Sequence, residues 1–169
     1  MTPTVPATAD RIAAWVNLQQ INRVIQGRLE QRIRDQADLS WPEFEVLWRL
    51  HLAADPLHMS EIATQLIGSP SGTTRIADRL EAGGLIERET PRDNRRIVRL
   101  RLTERGRATF ERADAAFRSA LEEAFSGHLS EAEAAGLRRT LRKLLERNGA
   151  WLESRCDPNL AARKEPGPD

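Results

Sequence analysis

Three features of this sequence predict a mainly α chain with one small β-hairpin. Two short apolar-periodic segments, Ser60 to Ile67 and the run carrying Ile76 and Leu80, are separated by Gly68 and Pro70. Immediately afterwards Gly83-Gly84 stops the second segment. Leu85-Ile86 and Ile97 to Leu102 then read as strands around the Pro91, Asp93, Asn94 turn signal. Long amphipathic stretches flank this unit on both sides. Helix, turn, helix and then an arginine-rich hairpin is a winged helix-turn-helix. Such a unit presents one helix to the major groove of DNA and a loop to the backbone or minor groove.

Each element has a local cause. Residues 1–8 hold two prolines and little apolar content, and read as a disordered arm. A long helix follows from about Ala9 to Asp35, with Ile12, Trp15, Val16, Leu18, Ile21, Val24, Ile25, Leu29 and Ile33 recurring every three or four residues. Its apolar stripe needs more partner surface than a small winged unit offers. Ser40 then reads as an N-cap, with Pro42 in the first turn and Glu43 at the third position. This helix is expected to reach about Ala54, burying Phe44, Leu47 and Trp48, until Asp55-Pro56 breaks it. Leu57-His58-Met59 can form a short strand against the wing, giving three strands.

In the helix-turn-helix, Ser71 or Ser69 is positioned to cap the second helix, and glycine at 83–84 supplies the left-handed stop. After the wing, Thr103 caps a helix carrying Phe110, Ala113, Phe117, Leu121 and Phe125, which Gly127 is expected to end. Ser130-Glu131-Ala132-Glu133 is a capping box for a last helix bearing Leu137, Leu141, Leu144, Leu145, Trp151 and Leu152. The proline- and glycine-containing stretch 157–169 reads as a disordered tail.

Composition bounds the function. The chain has 169 residues, 40% hydrophobic and 30% charged, with net charge +1, enough for one cored domain or two small lobes. No run of about 18 apolar residues is present, so no membrane helix is expected. The opening MTPTVPATAD is not a signal peptide. A single cysteine, Cys156, excludes an internal disulfide framework. These features fit the cytoplasm. His51, His58 and His128 lie in different elements without metal-ligand spacing, and no phosphate loop or nucleophile elbow occurs. No enzyme activity, metal or cofactor is expected.

The charge distribution points to DNA. From Leu85 to Arg107, eight arginines stand against four acids, a local +4 in a nearly neutral chain. The plainer reading is a solvated ribbon whose charges protect its edges; the use of arginine throughout, behind a helix-turn-helix, favours phosphate contact. Thr73, Thr74 and Arg75 are expected to face the groove because Ile76 and Leu80 face the core. Ser69, Ser71 and Gly72 are placed near phosphates at a helix N-terminus. Arg79 lies one turn beyond Arg75, and either reaches DNA or pairs with Asp78 or Glu81. Arg92, Arg95 and Arg96, with Asp93 and Asn94 beside them, are wing contacts. Arg99 and Arg101 share the exposed face of their strand.

The motif set resembles the MarR family of bacterial transcription regulators. The residues that carry it are Ser60-Glu61-Ile62-Ala63, Ser71-Gly72-Thr73-Thr74-Arg75, Asp78-Arg79-Leu80-Glu81, Gly83-Gly84-Leu85-Ile86, Asp93-Asn94-Arg95-Arg96 and Leu102-Thr103-Glu104-Arg105-Gly106. One departure concerns the wing, where the family places an acid two residues before an arginine. Counting back from Leu102-Thr103 puts Arg96 and Asn94 at those positions, while Asp93 and Arg95 keep the spacing one residue early. The resemblance implies that residues 9–36 and 104–155 form a helical dimerisation region around a winged domain at 40–103. It also implies a homodimeric repressor on an inverted-repeat site, released by an aromatic or phenolic effector. Trp15, Glu45, Trp48 and His51 are the residues it offers for that ligand; the plainer reading is that the aromatics and His51 are packed core. A winged-helix architectural or protein-interaction module without ligand response is the alternative function.

Overall fold

The computed structural model describes residues 8–53, 55–66, 72–89 and 98–150. The chain begins with α1 (Ala9–Ala37), a 29-residue helix stopped by Asp38 in the left-handed conformation. Helix α2 (Trp41–Leu52) starts at Ser40, whose N–H and hydroxyl both donate to Glu43 Oε2, at 2.8 and 2.5 Å. Then come β1 (Leu57–His58), α3 (Met59–Gln65), α4 (Thr73–Ala82), β2 (Ile86–Glu89) and β3 (Arg99–Leu102). Helix α5 (Glu104–Ala124), a 3₁₀ turn at Ser126–His128 and α6 (Glu131–Arg147) complete the described chain. The three strands form one antiparallel sheet in the order β1-β3-β2, so the expected third strand is present. Leu57 lies opposite Leu100, and Glu87 lies opposite Arg101.

Boundaries moved where local chemistry competed. The α4 N-cap is Gly72, not Ser71 or Ser69, which lie outside the described residues. Helix α5 stops at Ala124 with Phe125 as its cap, and Gly127 belongs to the following 3₁₀ turn rather than ending the helix. Its start is as expected: Thr103 Oγ1 accepts the Gly106 N–H at 2.9 Å. The Ser130–Glu133 box also forms; the Ser130 hydroxyl, then its backbone N–H, hold the Glu133 carboxyl below the usual glutamate range.

One core joins the winged unit to the long helices. Phe44 is fully buried at its centre, with the rings of Trp48, Phe110 and Phe117 at 5.5, 5.8 and 5.4 Å. Aromatic pairs at such spacings add about 0.5–1.5 kcal/mol beyond their area. Ile33 of α1, Ile62 of α3, Ala77 and Leu80 of α4, and Leu100 of β3 close around them. The outer helices lack such cover. On α1, Ile12, Trp15, Val16, Ile21 and Val24 are 43–60% exposed, and α6 has no buried residue. Full burial of one such side chain stabilises by about 1.5–3 kcal/mol. Covering this half-exposed stripe is therefore significant beside a domain's net stability of about 5–15 kcal/mol. No helix of the described residues is long and apolar enough to cross a membrane.

The end of α4 is locked to the start of α5. Gly84, at φ +67°, lets its own N–H reach Glu81 O (2.8 Å) and the Leu85 N–H reach Leu80 O (2.9 Å). Leu85 O then accepts the Thr103 N–H at 3.1 Å, and Thr103 Oγ1 donates to Gly84 O at 2.7 Å. Gly106 packs on the same carbonyl so closely that a Cβ there would lie 1.8 Å from Leu85 O. Gly106→Ala must separate α5 from this turn and should cost about 3 kcal/mol, at the upper end of overpacking. Gly84→Ala, which strains only φ, should cost about 1–2 kcal/mol. Thermal unfolding of both variants checks this; an unshifted midpoint for Gly106→Ala would show that the junction yields.

Candidate nucleic-acid interface

Helix α4 presents its polar residues along one arc because its apolar residues are committed to the core. Ile76, Ala77 and Leu80 are buried, whereas Thr74, Arg75, Asp78 and Arg79 are exposed. Thr73 corrects the expectation that it faces the groove: it is 2% exposed, turned inward with Ile76 and Ala77. At about 100° per residue, position 73 lies close to 77 and 80 on the wheel, so the sequence spacing itself contained this answer. Gly72 is half-buried at the N-cap.

Arg79 is exposed, but the ion-pair partners expected for it are corrected. Its Nε lies 3.3 Å from Glu43 Oε1 on α2, so its ion-pair partner is neither Asp78 nor Glu81. Glu43 thus uses one oxygen for the Ser40 cap and the other for α4. The two acids of α4 pair instead with Arg88 of β2, which reaches Asp78 Oδ1 at 2.5 Å and Glu81 Oε2 at 2.9 Å. Sequence inspection missed both links. The i, i+3 spacing of Asp78 and Glu81 was visible, but which cation would lie beside it was not.

The hairpin's arginines divide. Arg101 is exposed as expected, yet its Nε lies 2.7 Å from Glu87 and 2.5 Å from Glu89 across the strand pair. Glu87 is its direct cross-strand neighbour. The net +4 already counts Glu87 and Glu89, the partners of Arg101, but leaves out Asp78 and Glu81, which engage Arg88 from outside the hairpin; to that extent it overstates the charge available to an external phosphate. Arg99 is half-buried rather than sharing Arg101's exposure, and its Nε is buried without a hydrogen-bond partner. Arg92, Asp93, Asn94, Arg95, Arg96, Ser69 and Ser71 lie outside the described residues.

The four residues offered for a ligand do not gather in one chain. Trp48 and His51 both face α5: Trp48 lies 5.4 Å from Phe117 and the His51 ring 4.4 Å from Phe110. His51 Nδ1 is buried without a hydrogen-bond partner, as is Asp114 Oδ1 on α5. Trp15 stands 60% exposed on the open stripe of α1, and Glu45 is 5% exposed inside α2. A groove of about 500 Å³ beside Arg34, Glu43, Arg79 and Arg105 includes none of these four. A second, of about 630 Å³ between α1 and α5, also excludes them. Among the described residues no cluster of three or more His, Cys, Asp or Glu could hold a metal.

A helix with an exposed polar arc, braced on a three-stranded wing and a buried helical core, defines a winged-helix DNA-binding protein. The sequence model of the MarR family matches residues 39–98. The HTH-type transcriptional repressor IacR of Pseudomonas putida is 32% identical over 120 residues, covering 69% of this chain and 71% of that protein. The chain belongs to the MarR family, and is a DNA-binding transcription regulator rather than an enzyme. Solved structures share its fold. Sco3205, a MarR family regulator from Streptomyces coelicolor crystallised with DNA, superposes with a TM-score of 0.80 at 20% identity, over 87% of this chain and 92% of that one. The organohalide-sensing regulator RdhR-CbdbA1625, in its 2,4-dichlorophenol-bound form, gives 0.72 at 22% identity, over 87% and 88%.

Proposed function

We propose that this regulator acts in the cytoplasm as a homodimeric repressor on an inverted-repeat operator, released by a small aromatic effector. The observation that carries the dimer is the uncovered apolar stripe of α1, together with an α6 none of whose residues is fully buried within its own chain. Residues 9–36 and 104–155 are the dimerisation region in this reading, and 40–103 the DNA-binding domain. Two recognition helices in one particle raise affinity and discrimination, and two-fold symmetry asks for half-sites about 10 base pairs apart, or a multiple. The relative IacR is named a repressor, and Sco3205 was crystallised on DNA.

Thr74, Arg75 and Arg79 form the groove-facing set of α4, with Gly72 and residues 69 and 71 near phosphates. Arg92, Arg95 and Arg96, flanked by Asp93 and Asn94, form the wing contact. For the effector we favour Trp48 and His51, where aromatic faces stand beside an unsatisfied ring nitrogen. Trp15 belongs to the dimer stripe in this reading, and Glu45 is too deeply buried to meet a ligand. The 2,4-dichlorophenol complex of a protein sharing the fold supports a phenolic probe.

Replacing Arg95 and Arg96 together with alanine should weaken binding to all duplexes alike. It should also flatten log K against log salt by about one unit per lost phosphate contact. Arg101→Gln, whose charge is already neutralised, should leave that slope unchanged. A slope unmoved by the double variant removes the wing from the interface. Deletion of residues 130–169 should yield a folded winged unit that sediments as a monomer or aggregates through α1; a soluble dimer would exclude the last helix from the interface. In the third experiment, 2,4-dichlorophenol should quench tryptophan emission and release operator DNA. His51→Phe should fold, bind DNA and resist release. Release of that variant as readily as the wild type places the effector elsewhere.

A further inference from the structure

The exposed arc of α4 is bordered on both sides by ion pairs. At about 100° per residue, Glu81 and Arg79 stand about 160° apart around the helix, with Thr74, Asp78 and Arg75 between them. At one border Arg79 meets Glu43 of α2. At the other, the Arg88 guanidinium reaches from β2 to Asp78 and Glu81 with two different nitrogens, at 2.5 and 2.9 Å. Its side chain is only 30% exposed, less than either acid it holds.

We propose that Arg88 is a positioning residue for sequence recognition: it fixes the rotation of α4 relative to the wing and makes no DNA contact of its own. The proposal rests on the reading of α4 as the recognition helix. Residues 78 and 81 lie one turn apart on one flank, so a planar fork that engages both resists rotation of the helix about its axis as well as translation. A single ammonium cannot span two carboxylates in this fixed way. Partly exposed ion pairs contribute little to stability, so the protein should fold without this one. Its effect falls on the direction of Thr74 and Arg75, where small displacements decide whether a base edge is reached. Asp78 is a carboxylate within an arc that, on the same reading, approaches phosphates. Arg88 cancels its repulsion, and in doing so spends the charge that a phosphate would otherwise attract.

Three variants test this, read as the ratio of affinities for a duplex selected from a random pool and an unselected duplex of equal length. Arg88→Lys keeps the charge and both acids. It should retain the unfolding midpoint, the non-specific affinity and the salt slope, while the ratio falls by about 5- to 10-fold, the low end of one lost base contact. Asp78→Asn combined with Glu81→Gln removes two negative charges, so non-specific affinity should rise while the ratio again falls. Opposite movement of these two quantities is the signature of positioning. A purely electrostatic role would raise both affinities together and leave the ratio unchanged, and a direct phosphate contact by Arg88 would lower the salt slope of Arg88→Gln by about one unit; either outcome overturns the proposal. If Arg88→Lys keeps the full ratio while the double variant loses it, Asp78 reads DNA directly and the proposal fails. Wild-type protein that binds both duplexes equally overturns the sequence-specific reading itself, a result distinct from any of these.

Discussion

The carbonyl of Leu85 is the point through which the winged unit is attached to the long helices. It lies at the end of the turn that stops α4, accepts the Thr103 N–H, and forms the surface against which Gly106 packs. Four elements meet there within a few residues: α4, β2, β3 and α5. Because no side chain intervenes between Gly106 and the Leu85 backbone, the approach is set by backbone contact, which deforms little. The end of α4 and the start of α5 are therefore in direct backbone contact.

Around that rigid junction the restraints on α4 become progressively softer. Ile76, Ala77 and Leu80 hold it to the core by apolar burial, which is strong and only loosely directional. The ion pairs from Glu43 and Arg88 add little energy but fix direction. The polar arc between them, with Thr74 and Arg75, stays exposed. Thr73, near the helix N-terminus, is buried as well.

Charge in this protein is more local than a residue count conveys. The hairpin gathers arginines, yet Arg88 and Arg101 are each satisfied by two carboxylates of the same fold. Those pairs hold the sheet and helix in register. On the exposed arc of α4, Arg79 meets Glu43, whereas Arg75 is exposed without such a carboxylate neighbour among the described residues. A chain with net charge +1 can thus present a basic surface, provided its acids are engaged elsewhere.

Periodicity and capping chemistry made most of the fold legible. The Ser40 and Ser130 boxes, the Thr103 cap and the Gly83-Gly84 stop lay close to the observed helix ends because each depends on contacts within a few residues. The apolar face of α4 was readable for the same reason. Gly127 misled, since a glycine marks permissiveness, and the 3₁₀ turn absorbed it. What the sequence could not determine was pairing between elements. Glu43 reads as a cap residue, and only the packing of α2 on α4 brings Arg79 to its second oxygen. Arg88 reads as part of a basic hairpin until the sheet sets it beside Asp78 and Glu81. Trp15 and Trp48 are both tryptophans at helical spacing, yet one is exposed and the other sits among Phe44 and Phe117. Local interactions decide where elements start and stop, but the partner of a long charged or aromatic side chain depends on distances that exist only once the helices have packed.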